Sequence, residues 1–521
     1  MTTWSLASYR KPFLQVAEVQ TDPSGEILLC AAEETFELGP PDGVSQQAMA
    51  RLLSSMRDPE HEVWLELRKP SPWSKLVESL DVFGLIAEAD DQLSAVAAAE
   101  TDRYLELAAQ ARRWLDELSE LAPAPMADRL ATVLGSTLAH AHSLLIELAS
   151  ELGLSGLPAA GGAARIRPAT DFYGHLVDQL LTHWRYTAPA AVLLTCLALR
   201  EADPAGGDGE LALRLLAELA GGPYDLAETA TQLSCLVVTL GRAAGPGNDR
   251  LLELSAADTA TGPCSGTNLA LAGERLAVRG LRVLGPSSYH RTLGSGAPSD
   301  GDRPDRLALG TYLEQYLITR RFVEIILPLL AKRLRPELRD SLFRYYAEEV
   351  GHEVFELQTC LALGLTESEV VLATALPAWV TYLDVFARIA ATDPVGFLAS
   401  VMVTEGLPGT RTPVNDLLEQ AGALAGTDAA QVMRQHEEVN VELDHTTMAR
   451  RLLAQVPVVS PAGQRRAMDH LLFLLELNFR AWEELHWYYT DAANDRLHGP
   501  FGVTPRQLLG HLHAQQSATG G

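Results

Sequence analysis

Hydrophobic positions in the first ninety residues change period partway along. Within residues 13–39, FLQVAEVQ, the turn Asp22-Pro23-Ser24-Gly25, EILLCAAE and TFELG place apolar residues between polar ones and turn formers, the pattern of half-buried strands. SQQAMARLLSSM, a segment near EHEVWLELR, and WSKLVESLDVFGLIAEAD then take up helical spacing, so the pattern predicts a βββααα order. Residues 95–290 are Ala/Leu-rich and helical, with Gly/Pro-rich breaks at 153–168, 201–210 and 245–249. The segment 171–199, DFYGHLVDQLLTHWRYTAPAAVLLTCLAL, has the texture of TYLEQYLITRRFVEIILPLLAKRL further on and reads as a degenerate repeat of one bundle. A polar Pro/Gly-rich linker, SGAPSDGDRPDR, follows at 295–306. A mainly α chain in three parts is expected: a small α+β module at 1–95, a helical domain at 96–295 and a catalytic helical domain at 296–521.

Chemistry concentrates in the last part. AEEVGHEVFELQTCLALGL, residues 347–365, puts Glu349 and His352 one turn apart on a predicted helix, so that a carboxylate and an imidazole share a face. Glu405 is the lone acid of the apolar FLASVMVTEGLPG, one residue before a Gly stop. QVMRQHEEVNVELDHTTMARRLL, residues 431–453, carries His436, Glu438, Glu442, Asp444 and His445. On a helix Glu438, Glu442 and His445 fall within about 60° of one another, and His436, Asn440 and Asp444 form the opposite stripe. Glu314 and Glu324 are offered as carboxylates on the preceding helix. A carboxylate from one helix, Glu-x-x-His from the next, a Glu from a third and an acid/His set from a fourth is how bundles hold two iron or manganese ions.

The order EEVGHE, then TEG about fifty residues on, then a His/acid helix about thirty residues further, resembles the heme-oxygenase-like diiron oxidases and oxygenases, whose helical fold is shared with heme oxygenase and thiaminase II. The resemblance covers roughly residues 305–495. It implies Glu349, His352 and Glu405 as iron ligands, Glu314 as the carboxylate of the first core helix, Fe(II)/Fe(III), two ions, as cofactor, and dioxygen as co-substrate. Oxygen insertion at an amine nitrogen, desaturation and C–C cleavage are the outcomes it allows. Many members use His-x3-Asp-x2-His on the last ligand helix; here that spacing reads Glu438-x3-Glu442-x2-His445. His445 with Glu442 and Glu438 is the first choice and His436 the second. Tyr316 and Tyr345 are candidate catalytic tyrosines, and Tyr312, Tyr346 and Trp379 also lie near, to shape the pocket or relay electrons.

Composition narrows the partners. With 67 acidic against 41 basic residues and a net charge of -26, the chain lacks the basic surface that nucleic acid or an anionic membrane requires. The longest apolar stretch, 188–199, is too short to span a bilayer, and MTTWSLASYRK has no signal-peptide core; a cytoplasmic enzyme is expected, and a homodimer is allowed. Cys30, Cys196, Cys235, Cys264 and Cys360 are scattered without paired spacing, which argues against a disulfide framework or zinc knuckle. His175 and His183 have no acid/His helix after them in their region and read as structural.

The βββααα order resembles winged-helix precursor-peptide recognition elements of ribosomal peptide biosynthesis and the related pyrroloquinoline-quinone peptide chaperone, over residues 8–90. It implies a leader peptide added to a sheet edge; an inert cap is the plain alternative. The expected function is a non-heme iron, dioxygen-dependent oxidase or oxygenase of specialised metabolism acting on an amino-acid-derived or ribosomal peptide substrate. The alternatives are an inactive helical scaffold that binds a peptide, and a metal-free thiaminase-like hydrolase with Cys360 as nucleophile.

Overall fold

A computed structural model of the chain describes residues 6–151, 184–202, 207–220, 226–244, 262–294, 304–407, 445–491 and 502–511, less a few single residues and short turns, with isolated positions such as Phe172 and Leu251. The chain divides into two compact units, Met1–Arg103 and Tyr104–Gly521.

In the first unit β1 (Pro12–Leu14), β2 (Glu18–Thr21), β3 (Ile27–Cys30) and β4 (Thr35–Leu38) precede α1 (Gln46–Ser55), α2 (Val63–Leu67), α3 (Ser74–Val82) and β5 (Ile86–Glu88). β2, β3 and β4 form an antiparallel meander in register Val19↔Leu29↔Phe36. β1 pairs instead with β5, Leu14 opposite Ile86. This corrects two expectations. FLQVAEVQ is not one strand: its backbone turns away after Leu14, whose N–H donates to Met56 O (2.7 Å), while Gln15 N–H donates to Leu85 O (2.8 Å). IAE is a strand and not the end of a helix, because Gly84 takes φ 69°, a left-handed conformation open to glycine that stops α3. Leu14, Ile27, Leu29, Met49, Leu53, Trp64, Val77, Leu80 and Ile86 close the core of this unit. Ser45 Oγ caps α1 by accepting from Ala48 N–H (3.2 Å), which satisfies one of the helix's free donors.

The second unit is helical apart from one isolated bridge, Cys264–Val459, among the described residues. Its elements are α4 (Asp91–Leu121, which begins before the unit), α5 (Ala124–Glu151), α6 (Trp184–Ala202), α7 (Gly207–Ala220), α8 (Leu226–Ala244), α9 (Gly266–Leu284), α10 (Ser288–Gly294), α11 (Pro304–Leu330), α12 (Pro336–Glu349), α13 (Glu353–Ala362), α14 (Glu367–Leu372), α15 (Pro377–Thr392), α16 (Pro394–Thr404), α17 (Met448–Leu453) and α18 (Pro461–Thr490). Helices on both sides of residue 295 share one hydrophobic core, from Tyr104 to Leu509. His175 and His183 lie outside the described residues. No described helix is long and apolar enough to cross a membrane.

Helix starts are written in the sequence. α12, α15, α16 and α18 begin with Pro, whose fixed φ suits the first helical position and whose missing N–H is not needed there. Ser460 caps α18, Asp393 caps α16, and Thr366 with Glu369 forms a capping box on α14. α15 starts from Leu376, which has no side chain to cap with. Glu314 Oε2 of α11 accepts from Leu376 N–H (2.8 Å) and Glu484 Oε2 of α18 accepts from Ala378 N–H (2.7 Å). Two carboxylates from two neighbouring helices therefore hold the positive end of a third. Arg242, in a buried contact with Glu484 Oε1 (2.5 Å), balances that charge.

α11 and α18 approach closely where α11 carries Gly310. A Cβ there would sit 2.3–2.5 Å from the Tyr489 ring, whose hydroxyl donates to Glu314 Oε1 (3.4 Å). Gly310→Ala is expected to destabilise the protein by about 1–3 kcal/mol through overpacking. Gly135→Ala, on α5 with open space around it, is expected to stabilise by about 0.5–1 kcal/mol. Thermal unfolding of the two variants checks this: Tm falls for the first and rises for the second.

Candidate metal centre

Three separate segments deliver one charged side chain each to a common point. Glu349 is the last residue of α12. Glu405 is the C-cap of the apolar α16, ended as expected by Gly406 at φ 83°. His445 opens the 3₁₀ turn His445–Thr447 that leads into α17. One ligand atom from each lies within 4.8 Å of the other two. His445 Nδ1 is 3.0 Å from Glu405 Oε2 and 3.6 Å from Glu349 Oε1, and its Nε2 is 3.9 Å from Glu348 Oε2. Donors bound to one ion at about 2.1 Å and at right angles stand about 3 Å apart. The His445–Glu405 spacing therefore suits both a charge-assisted hydrogen bond without metal and two adjacent ligands with it.

Burial tests whether a cation fits. Glu349, His352 and His445 are buried, yet Glu348 Oε2, Glu349 Oε1 and His445 Nε2 have no hydrogen-bond partner. Buried polar atoms normally have one, and several carboxylates held together in low dielectric repel unless a positive charge lies among them. Carboxylate and imidazole donors match divalent iron or manganese. Glu349, Glu405 and His445 are the residues that would hold it.

The Glu-x-x-His pair survives in a different local structure from the one expected. Residues 347–365 do not form one helix. α12 stops at Glu349 and α13 begins at Glu353, because Gly351 takes φ 93°, which ends a helix. The tight turn still brings His352 Nδ1 to 3.5 Å from Glu349 Oε2, and the His352 ring centroid lies 5.9 Å from that of His445. Tyr345, one turn before Glu349 on α12, donates its hydroxyl proton to Glu405 Oε1 (2.6 Å).

Other expected site residues lie elsewhere. Both oxygens of Glu314 are engaged, by Leu376 N–H and Tyr489, so it serves the α15 start and does not join the trio. Glu324 pairs with Arg321 (3.5 Å) near the surface. Tyr316 is buried beneath the Arg320 guanidinium. His436, Glu438 and Glu442 lie outside the described residues, as do Asn440 and Asp444. Two acids near the site were not singled out from the sequence: Glu348, next to Glu349, and the buried Glu356, one turn beyond His352. The repeat of acids in EEVGHEVFE was the available signal, but adjacent acids on a helix normally point to different faces.

Electrostatics tie the group together. Burial raises the Glu349 carboxyl above its usual range, and the charge of Glu405 adds to this against the pull of His352 and His445. His445 is drawn down by burial, but the hydrogen bond and charge of Glu405, with Glu349 and Glu348, lift it above the ordinary imidazole value overall. The hydrogen bond with Glu349 lifts His352 likewise. Burial, with the charges of Glu405 and Glu349, pushes Tyr345 far up, so its phenol stays protonated.

Residues 311–478 match the family model described as "Iron-containing redox enzyme". All three trio residues fall in that span, and the heme-oxygenase-like expectation for this part of the chain agrees with the match. A solved structure from Shewanella denitrificans OS217, titled as a domain of unknown function with a heme oxygenase-like fold, is 19% identical with TM-score 0.34, covering 43% of this chain and 92% of its own. No curated protein matches the chain.

Metal binding is expected to release protons. In the metal-free fold Glu349 and His445 both hold protons more tightly than usual, and a ligand must give its proton up. Both raised values carry the same sign: proton-linked stability is full below the ordinary values and is lost as pH rises through the raised ones. The metal-free protein is therefore expected to lose stability as pH climbs from mildly acidic to mildly alkaline. The Tm gain from Mn(II) or Fe(II) should widen over the same interval. Melting curves with and without metal across that range test this, and a gain that shrinks with rising pH contradicts it.

Proposed function

We propose that the chain is a non-heme iron oxidoreductase that uses dioxygen, with two iron ions, to oxidise an amino-acid-derived or peptide substrate. The observation that carries the proposal is the Glu349/Glu405/His445 trio, in which Glu349 and His445 are buried and Glu349 Oε1 and His445 Nε2 have no hydrogen-bond partner, inside the span similar to iron-containing redox enzymes. The acid-rich donor set favours the higher oxidation states of iron over a purely imidazole site. His352, with its imidazole beside Glu349, and Glu348, with an oxygen facing His445, are assigned to a second ion, with Glu438 and Glu442 as further ligands in first choice and His436 in second.

Bound iron supplies the electrons and the open coordination positions that dioxygen needs. The chain's own residues do the rest. Glu405 faces His445 with Oε2 and Tyr345 with Oε1, so one carboxylate fixes both an imidazole and a phenol. Tyr345 keeps its proton and donates it in a fixed direction, which sets the carboxylate's orientation. Phe322, edge-on to Tyr345 at 6.2 Å, and buried residues of α15 and α16 exclude water from that side. A Cys360 nucleophile for a hydrolase is disfavoured: burial pushes the thiol up to about 12, so little thiolate forms at neutral pH.

The first unit is assigned to peptide recruitment. Val82 and Phe83 at the end of α3 are mostly exposed, and Phe83 lies 5.8 Å from Phe36 of β4, the edge strand of the meander. An extended peptide adding to that edge would gain main-chain hydrogen bonds and cover these apolar rings. The second site need not bind the reacting residue tightly, because tethering raises its local concentration.

His352→Ala and Glu405→Ala are each expected to lower bound iron and to abolish iron-dependent oxygen consumption, measured by metal analysis and an oxygen electrode. Unchanged iron content in both would remove the assignment. Phe83→Asp should leave iron content and oxygen consumption intact and weaken binding of a precursor peptide in a direct titration. Equal peptide affinity in the variant and the parent would leave the first unit as a cap.

A further inference from the structure

α9 precedes the span 311–478 that matches iron-containing redox enzymes, yet it is tied to two of the three segments that carry the trio. Its start is pinned to the chain that follows His445. Cys264 N–H donates to Val459 O (3.1 Å) and Val459 N–H to Cys264 O (2.8 Å). Gly266 N–H donates to Val456 O (2.8 Å). Gln464 Nε2 of α18 donates to both Gly262 O (2.9 Å) and Val459 O (3.0 Å). About two turns along α9, Glu274 accepts from both Nε and Nη2 of Arg450, the latter at 2.5 Å, the bidentate geometry that makes such pairs specific. Arg450 belongs to α17 and lies five residues after His445.

Close packing completes these ties. A Cβ on Gly266 would collide with the backbone O of Leu453 in α17 and stand 2.8 Å from Val456 O. Both atoms are backbone, so no side-chain rotation relieves the contact. A Cβ on Gly273 would meet Met402 Cε of α16 at 3.1 Å, and Met402 lies three residues before Glu405. α9 therefore contacts both α16, which leads to Glu405, and α17, which follows His445. These are the two residues whose Oε2 and Nδ1 stand 3.0 Å apart. His445 itself sits in a 3₁₀ turn of only three residues, and its Nε2 has no hydrogen-bond partner. A ligating histidine is normally oriented by a bond from its second nitrogen; here the placement of the backbone takes over that task.

We propose that α9 is a brace that sets the position of His445 against Glu405, with Gly266, Glu274 and Arg450 as positioning residues for metal binding. This rests on the metal reading above. The Glu274–Arg450 pair holds the body of α17, and the backbone bonds at Cys264 and Gly266 hold the chain that leaves it. Met402 against Gly273 holds the last turns of α16 to the same helix. Loosening the brace lets the His445 and Glu405 donors drift apart, and a ligand set that is loose by about 1 Å binds its ion poorly. The metal centre thus depends on a helix outside the matched span.

The test titrates the full metal-free chain with Mn(II) and reads free and bound ion by electron paramagnetic resonance. Glu274→Gln removes the charge pair and keeps the size; Gly266→Ala pushes α17 away; Glu274→Arg combined with Arg450→Glu restores the pair with its ends exchanged. Glu274→Gln is expected to weaken Mn(II) binding by about tenfold or more and to alter the line shape of bound Mn(II). The exchanged pair should restore both. Hydrogen exchange in the metal-free chain gives a readout without metal: amides within 445–459 should exchange faster in Glu274→Gln and Gly266→Ala and return to the parent rate in the exchanged pair, while those of α12 stay unchanged. Glu274→Gln decides the outcome where Gly266→Ala fails to fold. Faster exchange in Glu274→Gln with unchanged Mn(II) affinity and line shape would overturn the proposal, because α9 would then support the fold alone. Equal exchange in Glu274→Gln and the parent would overturn it as well. A parent that binds neither Mn(II) nor Fe(II), with faster exchange in Glu274→Gln reversed by the exchanged pair, would sink the metal reading and leave the brace standing.

Discussion

A buried carboxylate, a half-buried one and a buried imidazole, delivered by three separate segments to one point, are the constraint on which the rest of this chain turns. Glu349 and His445 are buried and Glu405 is half-buried, and like charges that water screens poorly repel strongly. Protons relieve part of that repulsion in the metal-free fold, which is why Glu349 and His445 both hold them more tightly than usual. A divalent cation relieves it more completely, and the energy of binding it becomes energy of folding.

The surrounding architecture keeps those segments in place. α15 lies against α11 and α18, and its start is fixed by Glu314 and Glu484. α16, which ends in Glu405, packs along α18 and against α17, the helix that follows His445. Gly310 lets Tyr489 close on α11. One set of buried carboxylates therefore positions helices through backbone N–H groups, and another is left facing its neighbours. The difference is visible in partners: Glu314 has two, whereas Glu349 Oε1 has none.

Much of this was legible in the sequence because the signals are local. Spacing marked Glu405 before Gly406, the Glu-x-x-His of Glu349 and His352, and His445 in an acid-rich segment as candidates, and the family resemblance turned them into expected ligands. The mainly α character and the β-rich start were equally plain in the periodicity. Glu314 misled because a lone acid on an apolar helix face has the same signature whether it binds a cation or a helix N-terminus; only the fold brings Leu376 N–H to it. The break at Gly351 was visible as a glycine, but a glycine within helical spacing does not announce whether it will take a positive φ. The pairing of β1 with β5 joins positions more than seventy residues apart, beyond any local pattern.

The most direct test of the central claim is a crystal structure of the full chain grown with Mn(II) or Fe(II) and recorded at the metal's absorption edge. The account predicts an anomalous peak bonded at about 2.1 Å to Glu349, Glu405 and His445, with Tyr345 still donating to Glu405. A peak ligated by other residues, or none at full metal saturation with the trio unchanged, would contradict it.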